Sequence, residues 1–367
     1  MKTIGIVTFH RSHNYGSVLL AYAMARTLSS LGLKAAIIDY RHHASELMYG
    51  FVWWDSSRTL RQNIHHLISH GILGRGRRRR RVFDRFITEK LPLTRRYSDR
   101  SEINEHFDYL VCGSDQIWNP DAPDSRDDIY FLDFGDADTV KFSYAASSGS
   151  RKFFAVDKAR TGHFLSSLKR IGVREQFMKD YISSTFGLES TVNPDPTLLL
   201  TQEEWSVLEE EVPGLPSGFI LVYSLLDTLR SVETASGIGS ILDLPVVHLN
   251  HRTKARNNFA EGAGISLFDV SPGQFLWLIR RASFVVSNSF HGNMFSIIYR
   301  KDFVCPVFDF RDQRIETLHE RVGLGRERFV SSARDFVPSL RHIDYGPLEA
   351  KIATFRKEGI DFIKDCL

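Results

Sequence analysis

Between residues 282 and 299 the chain reads Ala-Ser-Phe-Val-Val-Ser-Asn-Ser-Phe-His-Gly-Asn-Met-Phe-Ser-Ile-Ile-Tyr. The apolar, β-branched run from Phe284 to Val286 predicts a buried strand. Polar Ser287, Asn288 and Ser289 predict a turn, and Met294, Phe295, Ile297 and Ile298 predict an amphipathic helix. His291 and Gly292 then fall at a strand-to-helix junction, where helix-end N–H groups and the helix dipole attract an anion. Asn288, Ser289 and Asn293 offer hydrogen bonds, Gly292 permits close approach, and His291 can move a proton near neutral pH. This set points to chemistry on a phosphorylated substrate. The ordinary alternative is a histidine satisfied by its neighbours at a helix start.

Other loops add polar groups after predicted strands. Residues 8–17, Thr-Phe-His-Arg-Ser-His-Asn-Tyr-Gly-Ser, follow the first strand. They have neither GxGxxG spacing nor the lysine of a phosphate-binding P-loop, so a standard dinucleotide or nucleotide triphosphate site is not expected. Asn14, Tyr15 and Gly16 are candidates to contact a sugar or phosphate; the competing reading is a helix cap at Ser17. In Gly113-Ser-Asp-Gln-Ile-Trp-Asn-Pro120, Asp115 is a candidate general base and Trp118 a candidate platform for a sugar face, against a purely structural aspartate. Arg174, expected at a helix start after a strand, suits bidentate recognition of a carboxylate or phosphate. An ion pair with Glu175 or an acid of the other domain is the equal alternative. The segment 192–197, Val-Asn-Pro-Asp-Pro-Thr, reads as a rigid hinge turn with Asp195 as a cap. Arg252, Lys254 and Arg256 form a basic loop able to meet a phosphate or simply to be solvated. The arginines from Arg75 to Arg81 resemble an anionic-surface patch, against the default reading of a solvated loop; without interleaved aromatics they do not suit single-stranded nucleic acid.

The elements that must position these residues alternate strand and helix along the chain, which predicts α/β architecture with parallel sheets. Strands are expected near 3–9, 35–40, 108–112, 140–145, 219–224, 246–249, 284–286 and 303–307. Helices are expected near 17–31, over about 44–89 as a polar helical stretch with an arginine-dense break at 74–81, and near 156–167, from 174, 231–242, 272–281 and 348–366. The divisions expected are an N-terminal Rossmann-like domain over 1–190 on the acceptor side, a C-terminal one over 191–345 on the donor side, and a terminal helix over 346–367. Two facing Rossmann-like domains with a C-terminal helix packing across the hinge form the GT-B arrangement. Length, a 43% hydrophobic fraction, 25% charged residues and a formal net charge of +3 fit a globular chain of two domains and give no case for nucleic acid. Three scattered cysteines argue against a disulfide framework, and no metal site is expected. Neither a signal peptide nor a bilayer-spanning stretch is evident, so a cytoplasmic protein is expected.

In chain order these motifs resemble the polysaccharide pyruvyl transferase family. The matching elements are Gly5-Ile-Val-Thr-Phe9 with Asn14-Tyr-Gly-Ser17, Gly113 to Pro120, Val173-Arg-Glu175, Asp195-Pro-Thr-Leu-Leu-Leu200, and Ser287-Asn-Ser-Phe-His-Gly-Asn293. The resemblance implies a GT-B-like fold and transfer of pyruvate from phosphoenolpyruvate to sugar hydroxyls of a surface or exopolysaccharide, forming a ketal and releasing phosphate. It also implies that Arg174 and His291 match donor-site positions. Some members carry an arginine two residues before this histidine, where this chain has Ser289; Arg252, Lys254 or Arg256 would then supply the missing cation. The expected roles are acid/base or phosphate stabilisation for His291, donor anion binding for Arg174, and activation of an acceptor hydroxyl for Asp115. No cofactor beyond the phosphoenolpyruvate donor is expected. The expected partners are that donor and a sugar or lipid-linked oligosaccharide, with peripheral contact at the inner membrane face through the arginine patch. The alternatives are a GT-B glycosyltransferase using a nucleotide sugar, and a non-catalytic glycan-binding or assembly protein on the same scaffold.

Overall fold

A computed structural model describes residues 1–41, 59–61, 75–122, 127–149, 158–250, 264–308 and 312–367. The chain divides into two compact units, one of Met1–Val52, Phe86–Leu200 and Ala353–Leu367, the other of Trp53–Arg85 and Thr201–Ile352. The boundary at 200/201 falls ten residues after the expected one. The arginine-rich segment counts with the second unit, and the C-terminal helix Gly346–Cys366 is divided between the two.

The first unit is built on strands β1 (Thr3–Val7), β2 (Lys34–Tyr40), β3 (Leu93–Tyr97), β4 (Tyr109–Gly113), β5 (Val140–Ala146), β6 (Arg170–Val173) and β7 (Thr191–Val192). All pairs are parallel, in the order β3-β2-β1-β4-β5-β6-β7. Strand β4, Tyr-Leu-Val-Cys-Gly, is buried at every position, as a central parallel strand covered on both faces should be. The helix Tyr15–Ser30 buries Val18, Leu19, Ala21, Ala23 and Leu28. Its cap is Asn14, whose Oδ1 accepts from Gly16 N–H at 2.9 Å; the expected cap, Ser17, lies inside the helix. The end of the C-terminal helix belongs here. Phe362 packs against the Tyr144 ring, and Arg356 Nε donates to the Leu198 carbonyl at 2.7 Å.

The second unit repeats the plan with strands β8 (Ile220–Tyr223), β9 (Val246–Leu249), β10 (Ile265–Leu267), β11 (Phe284–Ser287), β12 (Phe303–Pro306) and β13 (Phe329–Val330), again all parallel, in the order β10-β9-β8-β11-β12-β13. Its core under one sheet face joins Ile220, Val222, Val286 and Val304 to Val232, Ala235 and Ile238 of the helix Thr228–Leu242. The helix Pro272–Arg281 falls where its pattern predicts, opened by a capping box between Ser271 and Gln274.

Three expectations change. Strands β3, β7, β10 and β13 have no counterpart among the expected strands; all four are sheet edges, so their sequences need not be continuous apolar runs. Within the expected break at 74–81, residues 75–81 are helical, because Arg75–Lys90 is one helix, in keeping with the good helix propensity of arginine; residue 74 lies outside the described residues, as do 44–58 and 62–73 of the expected helical stretch. The helix expected from Arg174 begins at Gln176 instead, with Glu175 as its N-cap.

Candidate functional site

In each sheet the strand order reverses at one point, between β1 and β4 in the first unit and between β8 and β11 in the second. The crevice at the carboxyl ends of strands flanking such a reversal is where open α/β sheets bind ligands. In the second unit, β8 delivers Ser224 to this edge and β11 delivers Asn288 and Ser289. Asn288 Oδ1 accepts from Ser224 Oγ and Leu225 N–H, both at 3.0 Å, and its Nδ2 reaches Ser231 Oγ at 3.4 Å. One side chain thus ties the two strand ends together.

The helix Phe290–Ile298 starts immediately afterwards. Ser289 is its N-cap, accepting from Gly292 N–H, and His291, 7% exposed, sits in its first turn with its ring edge-on to Phe290 at 5.1 Å. Gly292 has a packing reason. A Cβ there would lie 2.0 Å from Ser287 Oγ and 3.2 Å from Tyr223 Cδ1, so only glycine lets the helix start rest on the strand ends. Asn293 is enclosed within the turn, its Nδ2 donating to the carbonyls of Ser287 at 2.9 Å and Ser289 at 3.0 Å. Its Oδ1 faces His319 Nε2 at 3.0 Å, which makes that nitrogen the donor. His319 comes from the helix Gln313–Val322 and stacks on Phe329; burial, with Arg328 nearby, pushes its pKa down to about 3, so the ring is neutral. Beside Asn288 opens a cavity of about 230 Å³. Asp227, Asp312, Cys305, Phe308 and Ile315 help to line it, whereas His291 does not. Its two carboxylates are matched: Arg230 bonds Asp227 at 3.3 Å and lies over the Phe308 ring, and Arg314 holds Asp312 with a bidentate fork.

At the first unit's reversal, Asp115 has a left-handed backbone, φ 63°, a conformation costly for a non-glycine residue and concentrated at functional sites. Its carboxylate accepts from Ser17 Oγ and from Gln116 N–H at 2.8 Å, and it is buried. Arg174 lies 3% exposed in the same unit, bonded through Nη1 to Asp195 Oδ2 at 2.7 Å, with its Nε 3.6 Å from Glu175 Oε1. Asp195 also accepts from Ser114 Oγ at 3.0 Å and Thr197 Oγ1 at 2.7 Å. Two carboxylates and one guanidinium therefore meet at the carboxyl edge of β4 to β7. The hinge-turn aspartate is a hub of this network as well as a cap.

Other expected contacts lie elsewhere. Tyr15 and Gly16 are buried within the first helix, so of that trio Asn14 alone reaches solvent. Trp118 is not a sugar platform: it is 2% exposed, stacks on Phe131 at 5.5 Å and donates from Nε1 to the Tyr130 carbonyl. Arg252, Lys254 and Arg256 lie outside the described residues. In the arginine run, Arg79 is buried over the Phe83 ring and Arg78 pairs with Asp269, while Arg77 and Arg81 are exposed. No helix among the described residues is long and apolar enough to cross a membrane. Among those residues His106, Asp136 and Asp138 bring three potential metal-ligand atoms within 4.8 Å, exposed and at the amino ends of β4 and β5, away from either reversal. Sequence reasoning passed over Ser224, Asp227, Ser231 and His319. A serine directly after an apolar strand was the available signal for Ser224; nothing local marks His319, which sits 26 residues from its partner Asn293.

The sequence model of a family described as polysaccharide pyruvyl transferase matches residues 14–305. No curated protein matches the chain in sequence. Among solved structures it is similar to a glycosyltransferase from Rickettsia africae ESF-5, at 9% identity over 100% of this chain and 98% of that one, with a TM-score of 0.54. It is also similar to the UDP-GlcNAc 2-epimerase from Neisseria meningitidis bound to UDP-GlcNAc, at 11% identity over 100% of both chains, with a TM-score of 0.53. At such identities the likeness is one of fold, and the fold is GT-B-type α/β with two parallel sheets and a C-terminal helix.

Proposed function

The chain belongs to the polysaccharide pyruvyl transferase family and is a transferase, and from that premise we propose that it moves pyruvate from phosphoenolpyruvate onto sugar hydroxyls of a surface or exopolysaccharide. Within the site, the cavity beside Asn288 supports the small donor. Its volume of about 230 Å³ lies below the roughly 300–1,000 Å³ typical of drug-sized ligands. That suits a three-carbon phosphorylated acid better than a nucleotide sugar.

In the proposed reaction a proton adds to the methylene carbon of the enol, turning it into a methyl group. An acceptor hydroxyl attacks C2 and loses its proton; the C2–O bond to phosphate then breaks, releasing inorganic phosphate. A second hydroxyl closes the ketal with loss of another proton. The cationic character at C2 and the departing phosphate both call for fixed electrostatic partners. His291, in the first turn of the helix that follows Asn288 but outside the cavity lining, is assigned the proton transfer or the stabilisation of the leaving phosphate, for a donor whose reacting end extends past that lining. Arg230 and Arg314 neutralise the two aspartates of the cavity wall, so the donor's own charge is assigned to the start of the helix Phe290–Ile298. Asp115, desolvated and held in one rotamer by Ser17, is assigned to the acceptor hydroxyl. Arg174 keeps a structural assignment, its guanidinium being held by Asp195 and Glu175. Lipid-linked oligosaccharides are the natural acceptors for this reading.

The test is phosphate release from phosphoenolpyruvate in the presence of a lipid-linked oligosaccharide extract. His291→Ala should lower turnover about 100-fold or more, the usual scale of a lost acid/base group. Unchanged turnover in that variant would remove His291 from the mechanism. Nucleotide release from a UDP- or GDP-sugar, with none of phosphate from phosphoenolpyruvate, would replace the reading with a glycosyltransferase.

A further inference from the structure

The helix Arg75–Lys90 carries a charge pattern that the proposed reaction leaves unused. Between residues 77 and 85 its exposed positions are 77, 78, 81 and 85, and every one is an arginine. The opposite side is apolar: Phe83 is fully buried, with the Arg79 guanidinium over its ring. Arg78 is matched by Asp269. Arg77, Arg81 and Arg85 make no hydrogen bond or ion pair among the described residues. Their spacing of four residues puts them in one row, along about 12 Å of helix.

Local helix physics does not account for this row. Like charges four residues apart destabilise a helix, and the row takes two such steps in succession. The first turn holds no acidic residue and includes Arg77 and Arg78, so cations stand at the end where the helix dipole is itself positive. Six arginines lie between 77 and 85 against one acid, half-buried Asp84, so repulsion remains whichever arginine that acid offsets. The row meets an acid of its own only at Glu89, a turn beyond Arg85. A surface helix that breaks these rules together is expected where a partner supplies the missing negative charge.

We propose that the row Arg77, Arg81 and Arg85 is a docking face for the surface of an anionic lipid bilayer. Charge complementarity selects that occupant. A plane of anionic headgroups meets a straight row along its whole length, and each arginine near such a surface favours the bound state about fivefold. Nucleic acid is the poorer match. Phe83 and Phe86, the aromatic residues of this helix, are buried and give bases nothing to stack on. The chain's net charge of +3 also supplies no wider basic field for a duplex. Docking through the row does not depend on the reaction. Under the transferase function proposed above, it would bring the enzyme to lipid-linked acceptors held in the same surface.

The experiment is co-sedimentation of the full chain with vesicles of phosphatidylglycerol and phosphatidylcholine in equal parts, at low, fixed ionic strength and without substrate. Wild type is compared with the row variant Arg77→Gln/Arg81→Gln/Arg85→Gln. A control variant, Arg26→Gln/Arg326→Gln/Arg341→Gln, removes the same charge from exposed arginines elsewhere. The row variant should lose about 100-fold in partition, at about fivefold per arginine, while the control stays within about threefold of wild type. Salt at about 1 M, where the Debye length is about 3 Å, should release the wild type. Glutamine keeps good helix propensity and removes the repulsion, so the row variant should melt no lower than wild type. If it nevertheless fails to fold, Arg81→Gln alone should weaken binding about fivefold. Equal losses in the row and control variants would reduce the effect to net charge and overturn the proposal. A folded wild type that leaves the anionic vesicles unbound, or binds pure phosphatidylcholine vesicles as well, would also overturn it. An oligonucleotide bound by wild type and lost by the row variant, with no vesicle binding, would make the row a nucleic-acid face instead. Absence of any phosphoenolpyruvate turnover would defeat the transferase reading and leave the substrate-free vesicle result to decide the docking face.

Discussion

The stability of the turn that carries His291 should fall on mild acidification, because a neutral buried histidine holds that turn from behind. His319 donates to Asn293, and Asn293 donates to the carbonyls of Ser287 and Ser289. The folded-state pKa of His319 is pushed down to about 3 by burial and by Arg328, whereas an unfolded histidine titrates near 6.5. A depressed pKa means that the unfolded state binds the proton more readily. The stabilisation is therefore complete above about pH 6.5 and is lost as pH falls towards the folded value. Linkage gives about 2 kcal/mol lost between pH 7.5 and 5.0 for this one group. His248, buried in β9 with its pKa pushed down by burial to about 4, should contribute a similar loss. The assay is urea unfolding at both pH values for wild type and for His319→Gln, which retains a donor for Asn293 but has no ionisation in this range. The variant should be about 2 kcal/mol less sensitive to the pH change than wild type. Equal pH dependence in the two proteins would show that His319 is not held neutral, and the argument for its role behind the turn would fail.

Three further outcomes are expected. Gly292→Ala should destabilise the second unit by about 1–3 kcal/mol through overpacking, with Ser287→Gly restoring part of the loss because the clash is with Ser287 Oγ and Cβ; a double-mutant cycle in urea measures the coupling, and zero coupling would refute the contact. Arg174→Ala leaves two buried carboxylates without their guanidinium and should cost about 3–5 kcal/mol, read as a lower thermal midpoint. A normal midpoint combined with a raised phosphoenolpyruvate KM would return Arg174 to the donor. Asn288→Ala removes the acceptor of Ser224 and Leu225 and should cost about 1–3 kcal/mol, seen as faster hydrogen exchange at the Leu225 and Leu226 amides.

The alternation of strands and helices, and the place of each motif along it, follow from the local pattern of residue types. Parallel central strands are buried on both faces, so Tyr109 to Gly113 and Phe284 to Ser287 are written as continuous apolar runs. Loops after such strands lie at one edge of the sheet, which places Asp115, Asn288 and His291 at the carboxyl edges of the two sheets. The family motifs are legible for the same reason, being the polar punctuation after these runs. Pairing between distant residues was not legible. Asn293 has the composition of a contact residue, yet its amide is enclosed between two carbonyls and a histidine from another helix. Arg174 looks like an anion receptor, yet Asp195, supplied by a turn after β7, reaches it first. Asp39, His10, Arg11 and Arg41 form a cluster only because β1 and β2 lie side by side. Sequence patterning follows local periodicity and solvent exposure, so it fixes which residues reach an edge. Which partner each then meets depends on strand order and helix packing, and only the tertiary structure decides that.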